Sequence, residues 1–323
     1  MSPFTRSFVL GAIAISLAGC AATNAPVPEA GPLILGPHSP YAIAIGPDHN
    51  IWFTEYQGSN IGMMTPNGEV MKFPIGPDAL AERITSGPDG ALWFTDPKGN
   101  RIGRIGTDGK IQYIKLPQAE CGPSGIVTGG DGFIYFTEHA ANRIGRLRTD
   151  GTLTEFTLPN KSGPASIVSG HDGAVYFAED ESNHIAKIDK NGAVRESPIP
   201  TAQSVPSAIA IGPDGSIYFA EVGPGKIGKM KFDGSIDEYQ IPRGKPLGLA
   251  TGADGNLWAT SPGEHLVYRM TSGGDFIGYR LVDSIFPAFI AAAPDGNLYF
   301  TEPSGKVGRI STDGDVTEFD VNK

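Results

Sequence analysis

The chain has 323 residues, among them 44 glycines, 27 prolines and two cysteines, and a formal net charge of −10 at pH 7. That acidity, with no basic stripe to offset it, argues against a nucleic-acid partner. Two cysteines cannot staple a domain of this size, so the fold must hold by packing rather than by disulfides.

In chain order, Arg6 precedes an apolar stretch, Phe8 to Leu17, that ends in Leu17-Ala18-Gly19-Cys20. The stretch is too short to stay in a bilayer as a permanent helix. Small residues before a cysteine at the end of an apolar core resemble a bacterial lipoprotein signal. The resemblance implies a signal peptide over 1–19, with Cys20 becoming the first residue and carrying acyl chains such as palmitate. Several chains on one residue anchor a protein stably to the membrane. Residues 20–35 then read as the lipidated Cys20 and a flexible tether rich in Ala, Pro, Thr and Glu. Ala21 carries no inner-membrane retention signal of the Asp type. The expected location is the cell envelope, on the periplasmic face of the outer membrane in a Gram-negative cell. With Cys20 acylated, Cys121 has no disulfide partner.

From residue 36 to 323 one phrase recurs seven times at a spacing of 40 to 42 residues, starting at Gly46, Gly87, Gly129, Gly170, Gly212, Gly252 and Ala293. Each copy, such as Gly87-Pro88-Asp89-Gly90, leads into an aromatic run such as Leu92-Trp93-Phe94-Thr95. Fixed periodicity of this length means a repeat architecture. Repeat three shows the content of one period. Ser124 to Thr128 is apolar, and Phe133 to Thr137 is aromatic and β-branched. Ile144 to Leu147 follows, and after Thr149-Asp150-Gly151 an alternating run closes at Leu158. Short β-prone runs separated by Asp-Gly turns predict four antiparallel strands, A to D. Helical spacing is absent beyond the first twenty residues.

A lone four-stranded sheet cannot cover both its faces, whereas radial stacking around a channel can. The predicted class is all-β, a seven-bladed β-propeller with four antiparallel strands per blade. Trp52, Trp93 and Trp258 share one repeat position with Tyr135, Tyr176, Tyr218 and Tyr299, and read as blade-to-blade packing. The last repeat already ends in a complete hairpin, Ile310 to Val321, so its outer strand comes from the C-terminus and Leu33-Ile34-Leu35 is linker.

Two positions per repeat are expected at the functional rim. One follows the proline that opens strand A: Tyr41, Glu82 (where Ala81 replaces the proline), Ser124, Ala165, Ser207, Leu247 and Ala288. The other closes strand B: Glu55, Asp96, Glu138, Glu179, Glu221, Ser261 and Glu302. Six acids in seven copies invite a metal or substrate ring. A residue present in nearly every blade more simply serves the blade, with Asn100, Asn142, Asn183, Arg104, Arg146 and Arg309 as local partners. A functional residue should break the repeat. Glu82 does so by its charge, and His139 and Cys121 are breaks that could converge with Glu138. Repeat six departs furthest, with Ser261, His265 and Tyr268. His38, His49, His171 and His184 are scattered. No zinc or calcium spacing and no Gly-x-Ser-x-Gly elbow is present, so no metal ligand is assigned.

Together the repeated Pro-x-x-Ile, Gly-Pro-Asp-Gly-x-Leu-Trp-Phe-Thr-Glu, Asn-Arg-Ile-Gly-Arg-Ile and Asp-Gly-x-Ile-x-Glu-Phe-x-Leu-Pro elements resemble the streptogramin lyase (virginiamycin B lyase) family, from about Pro40 to Phe319. The resemblance implies a seven-bladed propeller and an elimination that opens a cyclic depsipeptide antibiotic with Mg2+. Pro40-Tyr41 matches the family's pocket tyrosine. The family's Pro-His opening the sixth repeat is Pro246-Leu247 here, and its Glu-Pro-His opening the seventh is Phe286-Pro287-Ala288. Glu302 lies one residue from the place of a second metal carboxylate. No catalytic residue is therefore assigned. The favoured expectation is a membrane-anchored, monomeric binding module for a small ligand, polysaccharide or envelope protein, with no cofactor. The alternative is a lyase or hydrolase with relocated residues: Glu82, Glu138, His139 and Cys121, or His265 with Glu302. Mg2+ enters only if the lyase alternative holds.

Overall fold

Each Asp of the repeated phrase organises the turn between strands A and B. In six of the seven blades its carboxylate accepts from the backbone N–H two residues on, as in Asp131 with Phe133 and Asp295 with Asn297. In every blade but the fifth it also accepts from the aromatic side chain four residues on: Trp93 Nε1 bonds Asp89 at 3.0 Å and the Tyr135 hydroxyl bonds Asp131 at 2.8 Å. The turn thus holds the ring that packs the blade. The glycine after the Asp has positive φ, 74° at Gly90, and His49 takes the same left-handed conformation at 62° in blade 1.

A computed structural model describes residues 39–282 and 285–322. The leader, Cys20, the tether and Leu33 to Leu35 lie outside the described residues. Seven four-stranded sheets follow one another, each ordered A-B-C-D with antiparallel neighbours. Blade 1 runs from strand A at Ser39–Ile45 to strand D at Val70–Pro74, and blade 7 from Ile290–Ala292 to Val316–Asp320. The one helical turn among the described residues is Pro262–Glu264. The outer strand of blade 7 is indeed the C-terminal one.

Strand B alternates between neighbours, as a strand must. Its Trp or Tyr joins the next blade and the adjacent Phe joins the previous one. Trp93 packs with Ile126, Ile134 and Phe136 of blade 3, while Phe94 packs with Trp52 of blade 1. Seven such clusters ring the molecule, the last uniting Tyr299 of blade 7 with Ile51 and Phe53 of blade 1. These rings are wholly buried, and each contributes about 1.5–3 kcal/mol on leaving water.

Strand C explains its own glycine. A Cβ on Gly103 would stand 2.1 Å from Phe94 Cζ, and one on Gly145 2.1 Å from Phe136 Cζ, so the ring lies directly on the glycine. Blade 6 reverses the arrangement. Ala259 replaces the strand-B Phe, and Tyr268, its register partner on strand C, fills the same interface. Tyr268 is therefore a packing exchange.

Candidate functional site

Strand A bulges behind its opening residue in blades 1, 3, 4 and 5, with register shifts between Pro40 and Ile43, Pro164 and Ile167, and Pro206 and Ile209 among them. A bulge lets consecutive residues line one surface. Two tiers accordingly line a central cavity of about 180 Å³. The lower tier is Ile43, Ile84, Ile126, Ile167, Ile209, Leu249 and Ile290, uniformly aliphatic. The upper tier is Ala42, Gly125, Ser166, Ala208 and Gly248, interrupted by Arg83 and Phe289.

Arg83 and Phe289 come from blades 2 and 7 and meet at the channel. The guanidinium carbon lies 3.9 Å from the Phe289 ring centre and 5.4 Å from that of Tyr41. Tyr41 meets Phe289 edge to face at 4.9 Å and tilts against Tyr56 at 5.7 Å. Burial pushes the Tyr41 phenol above its usual pKa, opposed by the charge of Arg83 and reinforced by Glu82. Glu82 accepts from the Ser124 hydroxyl at 2.7 Å. His139 Nε2 sits 3.1 Å from Asp180 of blade 4. That hydrogen bond raises the imidazole pKa against the opposing effect of burial, with the charges of Asp180, Glu181 and Glu82 adding to it. Tyr41, Glu82 and His139 thus share one sector of the mouth. Arg83 and Phe289 are not among the residues expected at the rim, although each breaks the small-residue pattern one position after the rim residue of its blade.

The acids that close strand B are not at the rim. Glu138, Glu179, Glu221 and Glu302 are buried, and so are Glu55 and Asp96. Each ends its strand inside the blade, beneath the loop that leads into strand A. Their partners also differ from the expected ones. Arg101 Nε reaches Asp96 at 2.6 Å, Arg143 Nε reaches Glu138 at 2.9 Å, and Lys72 reaches Glu55 at 2.8 Å. Arg104 instead pairs with Asp89 of the A–B turn at 2.6 Å, and Arg146 donates to the Lys190 carbonyl. Arg309 donates to the Thr317 hydroxyl. Asn100, Asn142 and Asn183 hold left-handed turns and clamp the D–A loop, Asn100 accepting from the Cys121 N–H at 2.8 Å. Burial drives the Glu221 carboxyl up to about 7 and the Glu302 carboxyl up to about 8, the latter helped by the charge of Glu318.

Cys121 joins Glu138 in this buried layer, while His139 turns to Asp180 and Glu82 to Ser124. Its thiol lies 3.3 Å from Arg143 Nη2 and donates to the Gln118 carbonyl at 3.1 Å. Cys121, Glu138 and Glu155 offer ligand atoms within 4.8 Å of one another, with the Arg143 guanidinium against both carboxylates. Burial, then the charge of Glu138, keeps the thiol protonated and poorly nucleophilic. His265 and Glu302 each have their own partners. His265 Nδ1 meets the Ile285 carbonyl at 2.8 Å and its ring packs on Phe286, a clamp like that of the asparagines. Glu302 accepts from Ser304 at 3.3 Å. In blades 6 and 7 Leu247 and a buried Ala288 stand just before strand A, and Phe286 packs on His265.

The sequence profile of the virginiamycin B lyase family matches residues 31–245 and 242–323. The fold is similar to that of a streptogramin B lyase, with 33% identity, 87% of this chain and 94% of that one covered, and a TM-score of 0.81. Virginiamycin B lyase from Staphylococcus aureus is 34% identical over 84% of this chain and 94% of its own, with a TM-score of 0.80. A catalytically inactive variant of the Staphylococcus aureus enzyme with quinupristin gives 0.79 at the same identity and coverage. Kuenenia stuttgartiensis hydrazine synthase, at 18% identity over 86% of this chain and 97% of that one, shares the fold with a TM-score of 0.71. No curated protein matches in sequence.

Proposed function

The chain belongs to the virginiamycin B lyase family, and from that premise we propose that it is a ligand-binding member, anchored at the cell envelope, that does not open streptogramin B. One observation carries the reading. Leu247, Phe286 and Ala288 stand where the resemblance to the lyases implies imidazole and metal-binding carboxylate. Elimination beside an ester needs a base for the α-proton and a cation for the developing enolate charge. Leucine, phenylalanine and alanine supply neither. A histidine-to-alanine variant of the Staphylococcus aureus lyase is catalytically inactive.

The donor set in this sector does not fit Mg2+. Glu302 is buried, its carboxyl is pushed up to about 8, and Phe286 replaces the second carboxylate. No helix among the described residues is long and apolar enough to cross a membrane, and the proposed attachment is by acyl chains on Cys20. Cys20→Ser should release the protein from the membrane fraction.

The test of function is incubation of the purified protein with a streptogramin B antibiotic and Mg2+, followed by chromatography and mass measurement. Unchanged antibiotic is the expected result, and ring-opened product overturns the reading. A second reading, a lyase or hydrolase with relocated groups, draws on His139, held by Asp180 within the field of Glu82 at the same mouth. It too would appear as turnover, abolished by His139→Gln.

A further inference from the structure

We propose that Arg83 is the recognition group for an anionic head, a carboxylate, sulfonate or phosphoryl group, carried on an apolar body that fills the channel. The proposal rests on the binding role above and names the chemistry of the ligand.

Arg83 is the one charged residue lining the cavity, and among the described residues its guanidinium makes no hydrogen bond and no ion pair. A guanidinium has five N–H donors and cannot shed its charge. Contact with the Phe289 and Tyr41 rings fixes the group in place but supplies no acceptor for those donors. Glu82, its chain neighbour, is engaged with Ser124 of blade 3. Ser166, the other polar side chain of the lining, donates to the Ser207 carbonyl. A half-buried cation held by rings and left without an acceptor is matched by an incoming oxyanion, which forms charge-assisted hydrogen bonds.

The rest of the ligand follows from the walls. Below Arg83 lies the aliphatic tier, and beside it Ala42, Gly125 and Ala208 leave room against backbone. A small, strongly hydrated anion has no second cation to bind there and faces a protein of net charge −10. An apolar body that displaces water from the isoleucine tier supplies the remaining affinity.

Two dyes with one aromatic skeleton test this: anilinonaphthalene sulfonate, and phenylnaphthylamine, which lacks the sulfonate. Both are titrated by fluorescence into the full chain carrying Cys20→Ser, which has no acyl chains to absorb them. The sulfonate should bind about tenfold tighter or more. Arg83→Gln should remove that preference and leave the affinity for the neutral dye unchanged, while Arg83→Lys keeps part of it. Equal affinity of the unaltered channel for the two dyes, or a preference that survives Arg83→Gln, overturns the anion assignment and leaves the channel as a binding site. Failure of both dyes to bind overturns the channel reading itself. The dye comparison on the unaltered channel does not depend on any Arg83 variant folding.

Discussion

The Thr301 hydroxyl donates to the Tyr41 carbonyl at 2.7 Å, joining the last blade to the first across a sequence separation of 260. The same oxygen accepts from the Phe289 N–H at 3.2 Å. Thr54, Thr95, Thr137 and Thr260 repeat this bridge to the strand A of the following blade. Blades 4 and 5 carry Ala178 and Ala220 instead, and Ser166 and Ser207 bridge forward in their place. Among the described residues no strand is shared between the first and last blades, so the seam is closed by the Thr301 bridge, by the Ser39 hydroxyl donating to the Pro303 carbonyl at 2.7 Å and by the cluster around Tyr299.

Thr301→Val keeps the shape and removes both bonds, leaving the Tyr41 carbonyl and the Phe289 N–H without that partner. The expected cost is about 1–3 kcal/mol, read as a lower urea midpoint with an unchanged slope. An unaltered midpoint would show that the Thr301 bridge adds nothing to the seam.

Tyr268 and Ala259 are one packing unit. Tyr268→Gly should cost about 3–5 kcal/mol by opening a cavity between blades 5 and 6. Ala259→Phe alone should cost about 1–3 kcal/mol by overpacking. The double variant restores the arrangement of the other blades and should recover most of the loss, a coupling visible in a double-mutant cycle. Simple additivity of the two losses contradicts the exchange.

Stability should fall as pH rises from the ordinary carboxylate range towards 8. The carboxyls of Glu138, Glu179, Glu221 and Glu302 are pushed up by burial, the last two to about 7 and about 8. Within that window the native chain binds more protons than the unfolded one, so each rise in pH favours unfolding. His139, also raised, acts in the same sense above the usual histidine pKa. Asp89, Asp172, Asp214 and Asp295 are held low, and their contribution is lost only in more acidic solution. Calorimetry should find Tm higher near about pH 5.5 than near about pH 8.5, with Glu302→Gln flattening the slope. A Tm that climbs across that interval contradicts the burial argument.

His139 should titrate above the ordinary histidine value because Asp180 accepts its proton. Asp180→Asn removes that charge, and the imidazole resonances followed by NMR should then move at lower pH. No change would mean that the pair does not form in solution.

The regular part of the molecule was legible because its signals are local. The Asp-Gly turns, the alternating strand-B aromatics and the strand-C glycine each act within a few residues of their own position. The expected service role of the strand-B acids also follows from their recurrence. Their burial, and their pairing with Arg101, Arg143 or Lys72 rather than Arg104 or Arg146, was not legible. Arg101 and Arg104, like Arg143 and Arg146, lie three residues apart on one strand and so point to opposite faces. His265 illustrates the same limit, since its role as a loop clamp depends on where the Ile285 carbonyl falls.

By itself the sequence determined the number of blades, the strands within each and the family, because periodic turns and alternation are properties of neighbouring residues. The tertiary structure alone decided what faces the channel. Arg83 and Phe289 belong to different blades and meet only when the ring closes. Glu138 and Cys121 lie close to His139 in sequence or space, yet sit beneath the surface. Closure and bulging set those positions through contacts between distant segments, which no local pattern of residues records.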